Sequence, residues 1–149
     1  MGKTLKIFGW IFLVIGILGF FSNPIVGSSA SAWFHADFNH NLIHLLTGLI
    51  MLWVAYKAMA KAGVTLKTFG WIYLVVAILG FFLVSGTGIL LGLFEVNGAD
   101  NWLHLIIAII LLWTAMKGGK SSMGQNAMPA SAPEPAEPMV SMEQGGDNM

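Results

Sequence analysis

Long apolar runs alternate with short polar stretches over most of this chain. The runs occupy residues 5–21, 42–60, 66–94 and 102–116, and the few charges inside them are lysines near their ends, Lys6, Lys57 and Lys67. Coiled into helices, they would be apolar all round, without the polar outer face of a helix in a soluble bundle. Crossing ~30 Å of hydrocarbon takes roughly 20 residues. The shorter apolar cores, 7–21 and 102–116, approach that length, and flanking Lys and Trp would complete them by reaching the interface. The pattern predicts an all-α integral membrane four-helix bundle with the lipid bilayer as its first partner. Within the third run, "VSGTGILLG" (84–92) loosens the helix and is expected to break or bend it near its end, leaving a re-entrant or interfacial stretch.

The runs are also related to each other. "TLKIFGWIFLVIGILGFF" (4–21) and "TLKTFGWIYLVVAILGFF" (65–82) share 14 of 18 residues. "HNLIHLLTGLIMLWVAYK" (40–57) matches "DNWLHLIIAIILLWTAMK" (100–117) more loosely, and the offset slips from 61 to 60 between the two comparisons. This reads as tandem duplication of a two-helix unit, residues 1–61 and 62–118. An even number of spans per copy makes both copies face the same way, with a pseudo-two-fold axis along the membrane normal and no inverted repeat.

Composition supports the membrane reading. Hydrophobic residues make up 56% of the 149 and charged ones 9%, against about 25% in ordinary soluble domains. With no cysteine there is no disulfide framework or thiolate metal site. The formal net charge is zero, so no bulk basic field draws nucleic acid. All seven basic residues are lysines (Lys3, Lys6, Lys57, Lys61, Lys67, Lys117 and Lys120), and four spans put them all on one side. The stretches 22–40 and 83–100 hold Asp37, Glu95 and Asp100 but no Lys or Arg. The positive-inside rule then places both termini in the cytoplasm of a multi-pass inner-membrane protein. Trp10, Trp53, Trp71 and Trp113 each lie about one helical turn inside a lysine, as an inner interfacial belt would. Residues 1–32 also carry the basic, apolar and small-residue pattern of a secretory signal, but the same apolar string recurs at 65–82, where no signal would stand. Residues 119–149 are rich in Pro, Ser, Gly, Glu and Met without apolar period and are expected to form a disordered cytoplasmic tail.

The chemistry-bearing residues gather at the lysine-free ends of the even helices. Asn41 with His44, and Asn101 with His104, stand three apart at the head of the second and fourth runs, with Asn97 and Asp100 just before the second pair. The plain reading is structural: Asn39 or His40 in one copy, and Asp100 or Asn101 in the other, stand where a helix start needs a cap. The histidines, one turn deeper, would face the bundle and form a small polar network. Two sharper readings use the same residues. His44 and His104, at equivalent depth on facing helices, have the arrangement that holds a haem b iron. Alternatively His35, Asp37, His40 and His44 offer a Zn²⁺ or Cu²⁺ site, with His40 and His44 at helical i, i+4 spacing. A proton relay through Asp100 and His104 finds no acid to continue it inside the spans. Gly16 and Gly19, and Gly88 with Gly92, suit close helix approach. Without a paired nucleophile and base or a phosphate loop, the expected role is non-enzymatic: a structural or accessory membrane subunit packing against itself or another membrane protein.

The stretch "GLFEVNGADNWLHLIIAIILL" (92–112) resembles the signature of an uncharacterised bacterial membrane family, domain of unknown function 4383. The family's N-x-x-(D/H)-N-x-x-H-L pattern falls on Asn97, Asp100, Asn101, His104 and Leu105, and the likeness extends over about residues 5–117. In the first copy His40, Asn41, His44 and Leu45 match, while Asp37 stands where the pattern has Asn. The resemblance implies a small four-helix protein of a bacterial inner membrane and carries no activity with it.

Overall fold

The computed structural model describes residues 1–21, 23–29 and 32–123, with side chains to Gly118; most of the segment read as a disordered tail, 124–149, lies outside them. The chain is mostly helical. The helices are α1 (Gly2–Leu18), α2 (Phe38–Lys57), α3 (Ala62–Leu83) and α4 (Gly98–Met123), and a 3-10 turn at Met59–Lys61 joins α2 to α3. Among the described residues, three helical segments are long and apolar enough to cross a membrane: Phe38–Lys57, Met59–Leu83 and Gly98–Gly118. α1, with 17 residues, is about 25 Å long and falls short by itself. α4 continues to Met123, five residues past the 118 boundary.

α1 packs antiparallel to α2, and α3 antiparallel to α4, and glycine sets how closely each pair approaches. A methyl group on Gly48 would stand 2.7 Å from the backbone nitrogen of Leu13 and 2.8 Å from the carbonyl oxygen of Gly9, so the α1 and α2 backbones touch there. In the other pair a methyl on Gly70 would meet Leu112 Cγ at 2.7 Å. One apolar core takes residues from all four helices, among them Leu5, Phe12, Met51, Leu66, Tyr73 and Leu111. The two pairs meet at related positions: Phe12 of α1 stacks on Tyr73 of α3, with ring centroids 5.1 Å apart and planes 10° from parallel.

The outward surface is apolar. Phe82 is 84% exposed, and Trp10, Val75, Ile109 and Trp113 are each about half exposed. Water would penalise such a surface heavily, whereas hydrocarbon does not.

The loops opposite the lysines are not helical. β1 (Val26–Gly27) pairs in parallel with β2 (Phe34–His35), and β3 (Gly88–Leu90) pairs antiparallel with β4 (Phe94–Val96). These two small ladders qualify the all-α expectation. The third apolar run does not stay helical to residue 94: α3 ends at Leu83, Val84 turns extended, and Gly86 takes a left-handed φ of 76° that a helix cannot contain. Gly88 and Gly92 therefore lie in a hairpin and pack no helix. Leu91 (φ 54°) and Gly92 (φ 72°) form its turn, closed by Leu93 N–H donating to Leu90 O at 3.0 Å.

Candidate functional site

The helix starts at the loop end set the geometry. α2 is capped by Asp37, whose Oδ1 accepts from His40 N at 2.9 Å. Before α4, Asn97 Oδ1 accepts from Asp100 N, and Asp100 Oδ2 accepts from Asn97 N, both at 2.9 Å. This reciprocal pair is a capping box with Asn and Asp in its two places. The caps thus stand earlier than the expected Asn39, His40 or Asn101, and both helices begin four residues before their apolar runs. Asp37 is a backbone partner and does not join the histidine cluster.

His40 and Asp100 hold matching places, each three residues after its cap. Both reach across to the other helix pair. Asp100 Oδ2 accepts a second bond, 2.9 Å, from the backbone N–H of His35 in β2. His40 Nδ1–H donates to the carbonyl oxygen of Glu95 in β4 at 2.8 Å. Because that acceptor has no proton of its own, His40 carries hydrogen on Nδ1, and in the neutral ring the lone pair is then on Nε2. The His35 ring turns aside to Glu95 Oε1, 3.4 Å away, and stays out of the cluster.

Asn41 and Asn101, both buried, do packing work. Asn41 Nδ2 donates to Ala36 O at 3.2 Å, and the amide presses against Gly19. Asn101 lies against Gly80 in the same way, and a methyl on either glycine would overlap the Asn side-chain oxygen.

One turn deeper the expected histidines meet, and a third joins them. His44 and His104 rings are 6.2 Å apart, and His40 lies 4.5 Å from His44 and 5.5 Å from His104. One ring nitrogen from each of the three lies within 4.8 Å of the others. All three are buried, His104 to 2% exposure, and the Nδ1 atoms of His44 and His104 find no hydrogen-bond partner among the described residues. An unpaired polar atom in an apolar interior costs about 1–3 kcal/mol. The cluster unites His40 and His44 from one proposed metal set with His104 from the haem reading, and leaves out His35 and Asp37.

Phe12 flanks His44 at 5.5 Å and Tyr73 flanks His104 at 5.4 Å, so the pairs are arranged alike about the centre. The symmetry fails on one side. Beside the histidines a cleft of about 290 Å³ opens between α2 and α3, where Tyr73 Oη lies 3.4 Å from Thr47 Oγ1. The corresponding space between α1 and α4 is about 60 Å³, narrowed by Ile25, Val26 and Phe34. Thr47 and Tyr73 were not singled out from the sequence. Their signal lay in the repeat, where Phe12 corresponds to Tyr73 and Ile107 to Thr47.

No curated protein and no solved structure matches this chain significantly. Residues 4–116 match one family model, whose sole description is Domain of unknown function (DUF4383), and the resemblance drawn from residues 92–112 pointed there as well. Covering most of every helix, both loops and all three clustered histidines, that match makes the chain a member of the DUF4383 family.

Proposed function

We propose that this protein is a polytopic membrane protein that binds a transition-metal ion through His40, His44 and His104. The observation that carries the reading is the convergence of three buried imidazoles from two helices. Zn²⁺ bonded to nitrogen at about 2.0–2.1 Å holds its ligands about 3.4 Å apart. From within 4.8 Å the rings close on an ion by small rotations. His40 has the attributes of an oriented ligand, with Nδ1 held by Glu95 O and the lone pair on Nε2. An all-imidazole set suits Zn²⁺ and Cu²⁺, and three ligands leave a fourth position open. A haem between His44 and His104 is less well supported, because the macrocycle would have to displace His40 and the stacked Phe12 and Tyr73 rings.

In this reading α1 crosses the bilayer as the fourth span, assisted by Lys3, Lys6 and Trp10 at its start. The lysine ends face the cytoplasm, the ion site lies near the opposite interface, and the two helix pairs descend from one duplicated unit. The role is binding and assembly without turnover.

The test is metal content. Protein purified in mild detergent and dialysed against Zn²⁺, then against Cu²⁺, is expected to retain one ion per chain. His40→Ala, His44→Ala and His104→Ala should each weaken retention more than about ten-fold, while His35→Ala retains the ion. Acidification releases the ion, because ligating imidazoles must be neutral. A wild-type protein that holds no more metal than the triple variant refutes the reading, provided both elute as monodisperse helical species.

A further inference from the structure

The α2/α3 cleft differs from its counterpart in a way that bears on what occupies it. Its walls are Ile43 of α2, Phe69, Ile72 and Val76 of α3, and Phe94 of β4. Ile43 is 39% and Ile72 47% exposed, so the mouth opens on the apolar outer surface, not on the loops. Thr47, Tyr73 and the three histidines complete a lining that is apolar almost throughout, and no Lys, Asp or Glu among the described residues takes part in it. In the ion-free protein a charged molecule would find no counter-ion there, and a purely apolar one would leave the Nδ1 atoms of His44 and His104 unpaired.

From this we infer that the cleft admits, from the hydrocarbon side, a neutral lipid-soluble quinone whose carbonyl oxygen reaches the hydroxyl and imidazole donors. The ring is placed by the walls: Phe69, Phe94 and Tyr73 are aromatic, and flat rings pack on one another with a preference that straight chains lack. The donor is at hand. At 3.4 Å the Tyr73–Thr47 contact is long for a hydroxyl pair, so Tyr73 Oη exchanges it for a carbonyl at little cost. The volume, about 290 Å³, takes a single substituted ring and leaves an attached tail between α2 and α3 in the bilayer. The repeat points to the same groove. At the corresponding positions of the other groove Phe12 replaces Tyr73 and Ile107 replaces Thr47, so the hydroxyls that would hold the oxygen occur on one side alone.

This binding concerns the metal cluster's neighbourhood but stands without an ion, and one experiment separates the two. Binding of a benzoquinone carrying a ten-carbon tail is measured by calorimetry in detergent, at fixed micelle concentration, on the ion-free and Zn²⁺-loaded protein. Ile72→Trp, which plugs the mouth away from the histidines, should weaken binding more than ten-fold and leave metal stoichiometry intact. Thr47→Val with Tyr73→Phe should weaken it several-fold, and a ten-carbon alcohol should not compete. Equal uptake by wild type and Ile72→Trp, or equal competition by the alcohol, overturns the quinone assignment while the metal result stands. Quinone binding without metal retention overturns the metal reading alone.

Discussion

Replacing Gly80 by alanine tests the register of α3 against α4, on which the position of His104 depends. Two effects oppose each other. Alanine inside a helix is favoured over glycine by about 1 kcal/mol. Against that, the new methyl would overlap Asn101 Oδ1 and lie 2.6 Å from its Cγ and 3.0 Å from its Nδ2. Asn101 is 2% exposed, so its amide cannot swing out to solvent. Overpacking of this kind costs about 1–3 kcal/mol, and Asn101 Oδ1 has no hydrogen-bond partner among the described residues to lose. The steric effect wins, and Gly80→Ala should destabilise by up to about 2 kcal/mol. With Asn101→Ala already in place the obstacle is gone and the propensity gain remains, so the same change should stabilise by up to about 1 kcal/mol. The sign therefore reverses between backgrounds, a coupling of about 1–3 kcal/mol in a double-mutant cycle. Unfolding by sodium dodecyl sulfate in mixed micelles, followed by far-UV circular dichroism, measures all four variants. If Gly80→Ala has the same sign and size in both backgrounds, Asn101 does not face Gly80 and the α3/α4 register is wrong.

Two further outcomes follow from the loop end and the charge pattern. Asp37→Ala removes the side-chain acceptor for His40 N and should cost about 0.5–2 kcal/mol in the same unfolding assay, with Asp37→Asn close to wild type; equal losses for both would argue against the cap. The protein lacks cysteine, so single thiols report sidedness: in intact spheroplasts a membrane-impermeant maleimide should label Leu93→Cys and reach Met59→Cys after lysis alone, and the reverse pattern refutes the orientation.

The sequence made the helices legible because apolar runs of spanning length leave the backbone few alternatives, and it made Asn41, His44, Asn101 and His104 legible because the repeat printed them twice. What stayed hidden depends on neighbours distant in the chain. Asp37 looked like a metal ligand until the start of α2 fell beside it, and the GxxxG spacing of Gly88 and Gly92 looked helical until Gly86 ended the run. His40 joins His104 through a fold that brings α2 and α4 together, a proximity that spacing within 35–44 does not express. Thr47 and Tyr73 read as ordinary positions in apolar helices, and comparing each with its repeat partner is what distinguishes them.

Several long-range ties at the loop end, among them His35 to Asp100 and His40 to Glu95, run from the first helix pair to the second. During synthesis the N-terminal hairpin is made first, yet the His35 N–H and the His40 ring lack these partners until residues 95–100 leave the ribosome. Completion of the imidazole trio is therefore a late event in biogenesis. A truncated chain would display two histidines without the third, and, on the metal reading proposed above, ion capture would mark the molecules whose α4 has arrived.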